Sequence, residues 1–327
     1  MKAWKITQYG EPKVALKKTE KDQPITPAGH VRFNVHAAAL ALPDVFMCRG
    51  SYAFKPELPF TPGQEFVGEV IECGEGVSEF KSGDRIAGVS SFFTGDGAFA
   101  EQSIAMESTV YPISDAISND QAAAFVITYH TAYTGLVLRG NLAAGETLLV
   151  SGGAGGVGSA AIQLAKALGA RVIATATGER KAEICRKLGA DEVIDLQQQS
   201  CVDSVMKLTD GRGANIIYDA VGGEFYENAF NCMAHQGRML AIGFASGRWG
   251  NTPLGTLVAK NLSVVGALPS GFQRKTTLDY HRQLLTLLAE GKISCLIDQT
   301  ISFDEIPEGL KRIEDRKSVG RIIMQNT

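Results

Sequence analysis

The six cysteines of this 327-residue chain (Cys48, Cys73, Cys185, Cys201, Cys232, Cys295) are scattered, and no two are separated by only two residues. That spacing gives neither a zinc cage nor a disulfide framework, and it predicts buried or free thiols in a reducing compartment. An excess of one charge sign is also missing. Thirty-two Lys and Arg stand against 35 Asp and Glu, a net charge of −3, so there is no surplus to neutralise a nucleic-acid backbone. No uninterrupted apolar run approaches the ~20 residues that span a bilayer. The opening Met1-Lys2-Ala3-Trp4-Lys5 lacks the apolar stretch of a secretory signal. These absences predict a soluble, cytoplasmic protein that binds neither nucleic acid nor membrane.

Glycine is what the chain has in plenty, with 36 residues. At ~150 residues per domain the length suggests about two domains, and two textures bear this out. Up to about residue 123, Pro and Gly interrupt the chain every few residues. Short β-type runs lie between them at Val31–Val35, Phe66–Glu72, Arg85–Val89 and Phe99–Ile104. This reads as an irregular, mostly antiparallel barrel or sandwich. From about 124, β-type runs alternate with helix-compatible stretches. Thr147–Val150, Arg171–Thr175, Glu192–Asp195, Asn215–Asp219, Arg238–Gly243 and Leu262–Gly266 read as strands of a mostly parallel sheet. The tail carries a leucine-spaced helix at Leu278–Leu288 and short strands at Gln299–Ile301 and Gly320–Met324. It is expected to pack back on the first domain. The expected division is therefore 1–123 with 267–327, and 124–266.

Gly153-Ala154-Gly155-Gly156-Val157-Gly158 matches G-x-G-x-x-G between a strand and a helix. Glycines there allow a tight turn and let backbone N–H groups approach a pyrophosphate, while the helix N-terminus adds unpaired donors and a positive dipole end. A dinucleotide site is expected. An NAD site usually ends its second strand in Asp or Glu, but here the chain reads Thr175-Ala176-Thr177-Gly178-Glu179-Arg180-Lys181. Hydroxyls and two cations favour a 2′-phosphate, and so NADP(H). Glu179 would oppose that phosphate if it pointed inward.

Gly63-Gln64-Glu65-Phe66-Val67-Gly68 resembles the G-H-E-x-x-G element of zinc-dependent hydride-transfer enzymes, with Gln64 where the histidine ligand would stand. No four-cysteine lobe separates Asp84-Arg85 from Gly97-Ala98-Phe99 either, so no metal site is expected. With Asp44–Tyr52, Pro59–Glu65, Gly83-Asp84-Arg85, Thr131-Ala132-Tyr133, Ala165–Ala170, Leu188-Gly189-Ala190 and Tyr218–Gly223, the whole chain resembles the zinc-independent, zeta-crystallin-like quinone oxidoreductases of the medium-chain dehydrogenase/reductase superfamily.

The resemblance implies an α/β protein: a Rossmann doubly wound parallel sheet plus a GroES-like, mostly-β domain, with the nicotinamide in the cleft between them. It places Thr131 near the nicotinamide and Gly155, Gly156 and Val157 on the pyrophosphate. Thr177 and Lys181 would meet the 2′-phosphate, and Gly243 and Leu268 would line the rest of the cofactor channel. Homodimers are common in this family, through the last strands of the nucleotide-binding sheet, and Leu262–Gly266 is apolar enough to be such an edge. The chain departs from the family at Ala41 and Phe46, where Asn and Tyr are common, which thins the polar groups around the substrate, and near Leu196, where a tyrosine often stacks on the adenine.

The reading that follows is an NADPH-dependent enzyme that transfers hydride to a small-molecule quinone or related conjugated carbonyl without metal. The developing negative charge then needs a hydrogen-bond donor or solvent. Tyr52 and His130 are the candidate catalytic residues. Tyr52 serves equally as an aromatic wall, and a histidine placed like His130 is more often simply hydrogen-bonded at a helix or domain seam. Two alternatives remain: an enone or enoyl-thioester (C=C) reductase, and an NADPH-binding structural or regulatory protein without turnover.

Overall fold

The computed structural model describes residues 1–54 and 56–326, which form two compact units, Met1–Ile127 with Ile297–Thr327 and Thr128–Leu296. In chain order, the first unit contributes β1 (Lys2–Ile6), β2 (Leu16–Glu20), β3 (His30–Leu40), β4 (Glu65–Cys73), β5 (Arg85–Val89), β6 (Gln102–Met106) and β7 (Val110–Pro112). The second contributes β8 (Thr147–Val150), β9 (Arg171–Ala176), β10 (Glu192–Asp195), β11 (Ala214–Asp219), β12 (Met233–Ala241) and β13 (Ser263–Gly266). The chain then returns to the first unit with β14 (Ile297–Ser302) and β15 (Arg321–Gln325).

The first unit is mostly β. One sheet runs β14-β15-β3-β4-β5-β7 with β6 also on β3, and β1 and β2 form a separate ribbon. Only β14 and β15 pair in parallel; the other neighbours are antiparallel. Alternation drives β3, where Val31, Phe33 and Val35 are buried while their neighbours are partly exposed, the period-2 pattern of a strand with one face on a core. Phe33 stacks on Phe66 with ring centroids 3.7 Å apart, and Ile6, Phe60, Val70, Ile86, Phe99 and Met324 fill in around them. The expected strand Phe99–Ile104 begins later, at Gln102. Phe99 is held outside regular pairing, donating to the Pro62 carbonyl (3.0 Å) and accepting from Trp4 N–H (2.9 Å).

The second unit is a six-stranded, wholly parallel sheet in the order β10-β9-β8-β11-β12-β13. The order steps outward from β8 to β10 on one side and from β11 to β13 on the other, the doubly wound Rossmann order. Its central strands are apolar throughout because helices cover both faces of such a sheet. Leu149, Ile173, Ile194, Ile217, Met239 and Phe230 form one buried cluster on one of those faces.

The residues 267–296, expected with the first domain, belong instead to the second unit. The helix Arg274–Ala289 is tied there by contacts that carry no period in the sequence. Tyr280 stacks on Tyr133 at 4.9 Å, and the Ser294 carbonyl just beyond accepts from Gln163 Nε2 (2.8 Å) and Tyr129 Oη (2.8 Å). Only β14, β15 and the helix Ile306–Glu314 return to the first unit.

Candidate functional site

Between β8 and β11 the strand order reverses, and a doubly wound sheet offers its ligand crevice outside the carboxyl ends of the strands at that point. The glycine cluster sits there. After Val150, Gly152 turns the chain with φ +59°, a left-handed conformation that costs a residue bearing Cβ. The helix Gly156–Ala167 then begins from Gly155. Its first backbone bond runs from Ser159 N–H to the Gly155 carbonyl, so the amides of Gly156, Val157 and Gly158 have no backbone acceptor among the described residues. These are the orphan donors of a helix N-terminus.

The glycines divide the work. A Cβ on Gly158 would sit 2.4 Å from the Gly152 carbonyl, so this glycine lets the helix close onto the turn. A Cβ on Gly153 would press at 2.9 Å on both Ile162 and Cys185. Gly155 is exposed, and a Cβ there would meet only the Gly152 carbonyl, at 3.3 Å. Two glycines are therefore needed for packing, while the Gly155 amide closes the turn on the Gly152 carbonyl (2.9 Å) and half-exposed Gly156 and Val157 leave amides without a backbone acceptor among the described residues. A diphosphate fits this turn by shape and by donor chemistry.

The other residues expected at a cofactor line the same edge of the sheet. Thr177 is exposed directly after β9. Lys181 lies in the first turn of the helix Glu179–Lys187. Glu179, the acid that would oppose a phosphate, bonds Arg186 at 2.6 Å farther along its own helix. Asp195, at the end of β10, is also occupied: one oxygen accepts from the amides of Gly178 (2.8 Å) and Gln197 (3.0 Å), which holds its pKa below the usual range. Gly243 follows β12, where its amide donates to the Asp219 carbonyl (3.2 Å). Leu268 follows β13 and is 64% exposed. Thr131 is half-buried on the helix Val126–Tyr133, which the sequence left unassigned. That helix widens into a π-turn at Thr134–Arg139, closed by Gly140 N–H on the Gly135 carbonyl (2.8 Å), an irregularity often found near functional sites.

His130 does not stand at an open surface. It is 2% exposed, and its Nε2 lies 2.9 Å from His281 Nδ1, with Tyr280 Oη 3.4 Å from its Nδ1. Burial, then the neighbouring His281 and Arg274, hold its pKa well below the ordinary histidine value. A ring so enclosed and engaged at both nitrogens supports the structural reading of His130 over that of a proton donor.

Tyr52 belongs to the first unit and is half-buried. Its ring lies 6.2 Å from that of Phe54 and 6.5 Å from that of Phe92, and Phe93 packs edge-on against Phe92. Its hydroxyl is hydrogen-bonded to the buried Gln64 side chain, while burial raises the phenol pKa. The sequence motif marked Gln64 only by the histidine it lacks; the structure shows it as the polar partner of Tyr52. Beneath them Asp44 is fully buried and accepts from Ala41 N–H (2.9 Å) and Gly63 N–H (3.2 Å). Burial pushes its carboxyl up to about 7, against the pull of those amides and of Arg321. Glu65, beside Gln64, pairs with Arg321 and accepts from Ile127 N–H (2.7 Å), an internal tie rather than a free ligand. Among the described residues no group of three His, Cys, Asp or Glu side chains is placed to hold a metal ion.

Comparison with known proteins agrees with both units. The family "Alcohol dehydrogenase GroES-like domain" matches residues 27–115, and "Zinc-binding dehydrogenase" matches residues 156–289. Quinone oxidoreductase-like protein 2 homolog of Nematostella vectensis is 37% identical over 90% of this chain and 81% of its own length. Quinone oxidoreductase-like protein 2 of Rattus norvegicus is 33% identical over 94% and 90%. Among solved structures, Escherichia coli quinone oxidoreductase complexed with NADPH is 27% identical, with a TM-score of 0.90 over the full length of both chains.

Proposed function

Because the chain belongs to the medium-chain dehydrogenase/reductase superfamily, alongside the quinone oxidoreductase-like proteins, we propose that it is an NADPH-dependent reductase of quinones or related conjugated carbonyls that works without metal. The observation that carries this reading is the turn at Gly152–Gly158, with its orphan amides at the strand-order reversal. The amides of Gly156, Val157 and Gly158 hold the diphosphate, and Thr177 and Lys181 take the 2′-phosphate. The two acids of that corner are both engaged, Glu179 by Arg186 and Asp195 by the Gly178 and Gln197 amides. Thr131, Gly243 and Leu268 contact the nicotinamide half. NADPH, when bound, supplies the hydride.

On the acceptor side, the rings of Tyr52, Phe54, Phe92 and Phe93 form an apolar aromatic group, tilted and edge-on to one another, against which a quinone ring can pack. The Tyr52 hydroxyl, held by Gln64, donates a hydrogen bond to the oxygen that becomes an oxyanion, which favours the charged product. Gln64 offers an amide where the zinc-dependent relatives use an imidazole, which supports the metal-free reading.

No helix among the described residues is long and apolar enough to cross a membrane, and we place the enzyme in the cytoplasm. We also propose a homodimer through β13, the terminal strand of its sheet. Val264 is exposed there, and Leu254 and Val258, one turn apart on the helix Leu254–Lys260, are 72% and 80% exposed.

A steady-state screen with NADPH and NADH side by side, against quinones, enones and enoyl thioesters, tests the proposal. Quinone turnover with NADPH preferred is the expected result. Saturation of C=C bonds without quinone turnover would assign the chain to the reductases of enones or enoyl thioesters. Tight NADPH binding without oxidation by any acceptor would leave a binding protein.

A further inference from the structure

The sequence scatters its six cysteines, but the fold brings two of them together. Cys201 opens the helix Cys201–Leu208, and Cys232 closes the short turn Phe230–Cys232 that leads into β12. Helix and turn pack against each other over the apolar cluster of Leu149, Ile217 and Met239. There the two thiols are hydrogen-bonded to each other, and Cys232 Sγ also lies 3.2 Å from the Ala229 carbonyl. Cys232 is fully buried, whereas Cys201 is partly buried at the margin of the cluster.

We propose that Cys201 and Cys232 form a reversible disulfide on exposure to hydrogen peroxide, making the second unit a thiol-modification site separate from its nucleotide turn. The peroxide transfers one oxygen to the Cys201 sulfur, giving a sulfenic acid and one water as the O–O bond breaks. The Cys232 sulfur then displaces that hydroxyl. The S–S bond forms, and the hydroxyl leaves as a second water with the Cys232 proton. The two thiols lose two electrons and two protons in all, and the peroxide is reduced to water.

The electrostatics bear on the second step. The shared hydrogen bond holds the Cys232 thiol below its usual range, which favours its sulfur as the one that displaces the hydroxyl, while the same hydrogen bond and then burial raise Cys201. Burial also pushes Cys48, Cys73 and Cys185 up. The closed loop would carry β11 and the Ala220–Gly223 turn, so oxidation should raise the thermal midpoint of this unit by several degrees.

The test is peptide mapping by mass spectrometry on the full-length protein before and after hydrogen peroxide, with the thermal midpoint read in parallel. The expected result is a Cys201–Cys232 linked peptide pair, reversed by dithiothreitol together with the midpoint shift. Cys201→Ser, a change at the partly buried position, should remove both. Cys232→Ala should remove the link and leave Cys201 to oxidise further to a sulfinic acid. Oxidation of Cys201 in the unmodified chain without a linked partner, linkage to any other cysteine, or no reaction at peroxide levels that modify another of the cysteines would overturn the proposal.

Discussion

In the Thr128–Leu296 unit the candidate ligand surface is main chain: a glycine turn, three orphan amides and a helix end. In the other unit it is side chain: a phenol, an amide and a group of aromatic rings around a buried carboxylate. The first kind tolerates almost no change, because a Cβ in the wrong place blocks the ligand or splits the turn. The second tolerates substitution, because one ring can replace another. The same contrast fits the glycine turn, which keeps the family's pattern, while the departures fall at side-chain positions: Ala41 and Phe46 in one unit and Leu196 in the other.

The harshest way to break the comparison is Gly156→Asp. A carboxylate at the first helical position adds bulk and sets a negative charge against the diphosphate, so NADPH affinity should fall by roughly a hundredfold or more. Calorimetric titration reads this directly. Affinity close to that of the unmodified protein would mean the nucleotide lies elsewhere. The counterpart in the first unit is Tyr52→Phe. If the hydroxyl stabilises the oxyanion, kcat should drop by about tenfold to a hundredfold with NADPH affinity unchanged. An unchanged kcat would reduce Tyr52 to a wall for the acceptor. Smaller still is Lys181→Ala. Losing one cation from the 2′-phosphate should weaken NADPH about tenfold and leave NADH nearly untouched. Equal losses for both nucleotides would undo the cofactor preference.

How much of each unit could be read from sequence follows the same line. Backbone function requires glycine at fixed spacing between a strand and a helix, and that is visible in a string of letters. Thr147–Val150 matches its strand end to end for a related reason: a central parallel strand is a short apolar run; the edge strand Glu192–Asp195 matches as well, with its Val-Ile pair between two acids. The helix Val126–Tyr133 was missed because Val, Ile, Thr and Tyr favour strands when read locally, and only burial among neighbours makes them helical. The placement of 267–296 failed because its anchors are single long-range contacts, Tyr280 to Tyr133 and Gln163 to Ser294, which leave no periodic trace. His130 was noticed as an oddity of composition, but its partner His281 is distant in sequence, so its neutral, enclosed state could not be foreseen. Gln64 was legible only as a missing ligand. Its bond to Tyr52 needed the fold.

The mildest expected effect sharpens the comparison most, because His130 and Asp44, one in each unit, should respond to acid in opposite directions. His130 has its folded pKa below the ordinary 6.5, so the unfolded chain binds the proton more readily. Its contribution to stability is present above that value and is lost as the pH falls below it. Asp44 is the reverse. Its carboxyl is raised from 3.8 to about 7, so the folded state holds the proton more tightly, and stability is lost as the pH rises across that interval. Glu65 and Asp219 are also raised by burial and add slopes of the same sign as Asp44, one in each unit. The clean readout is therefore a difference between variant and parent. Calorimetric midpoints from pH 5 to 8 should show His130→Gln losing its disadvantage as the medium is acidified, since His281, Tyr280 and Arg274 then no longer face a histidine that resists protonation. Asp44→Asn should instead compare best with the parent at high pH, where the parent bears the cost of a buried charge. Parallel curves for His130→Gln and the parent would mean that the histidine pair takes up its proton in place, and the packing role assigned to it would have to be abandoned.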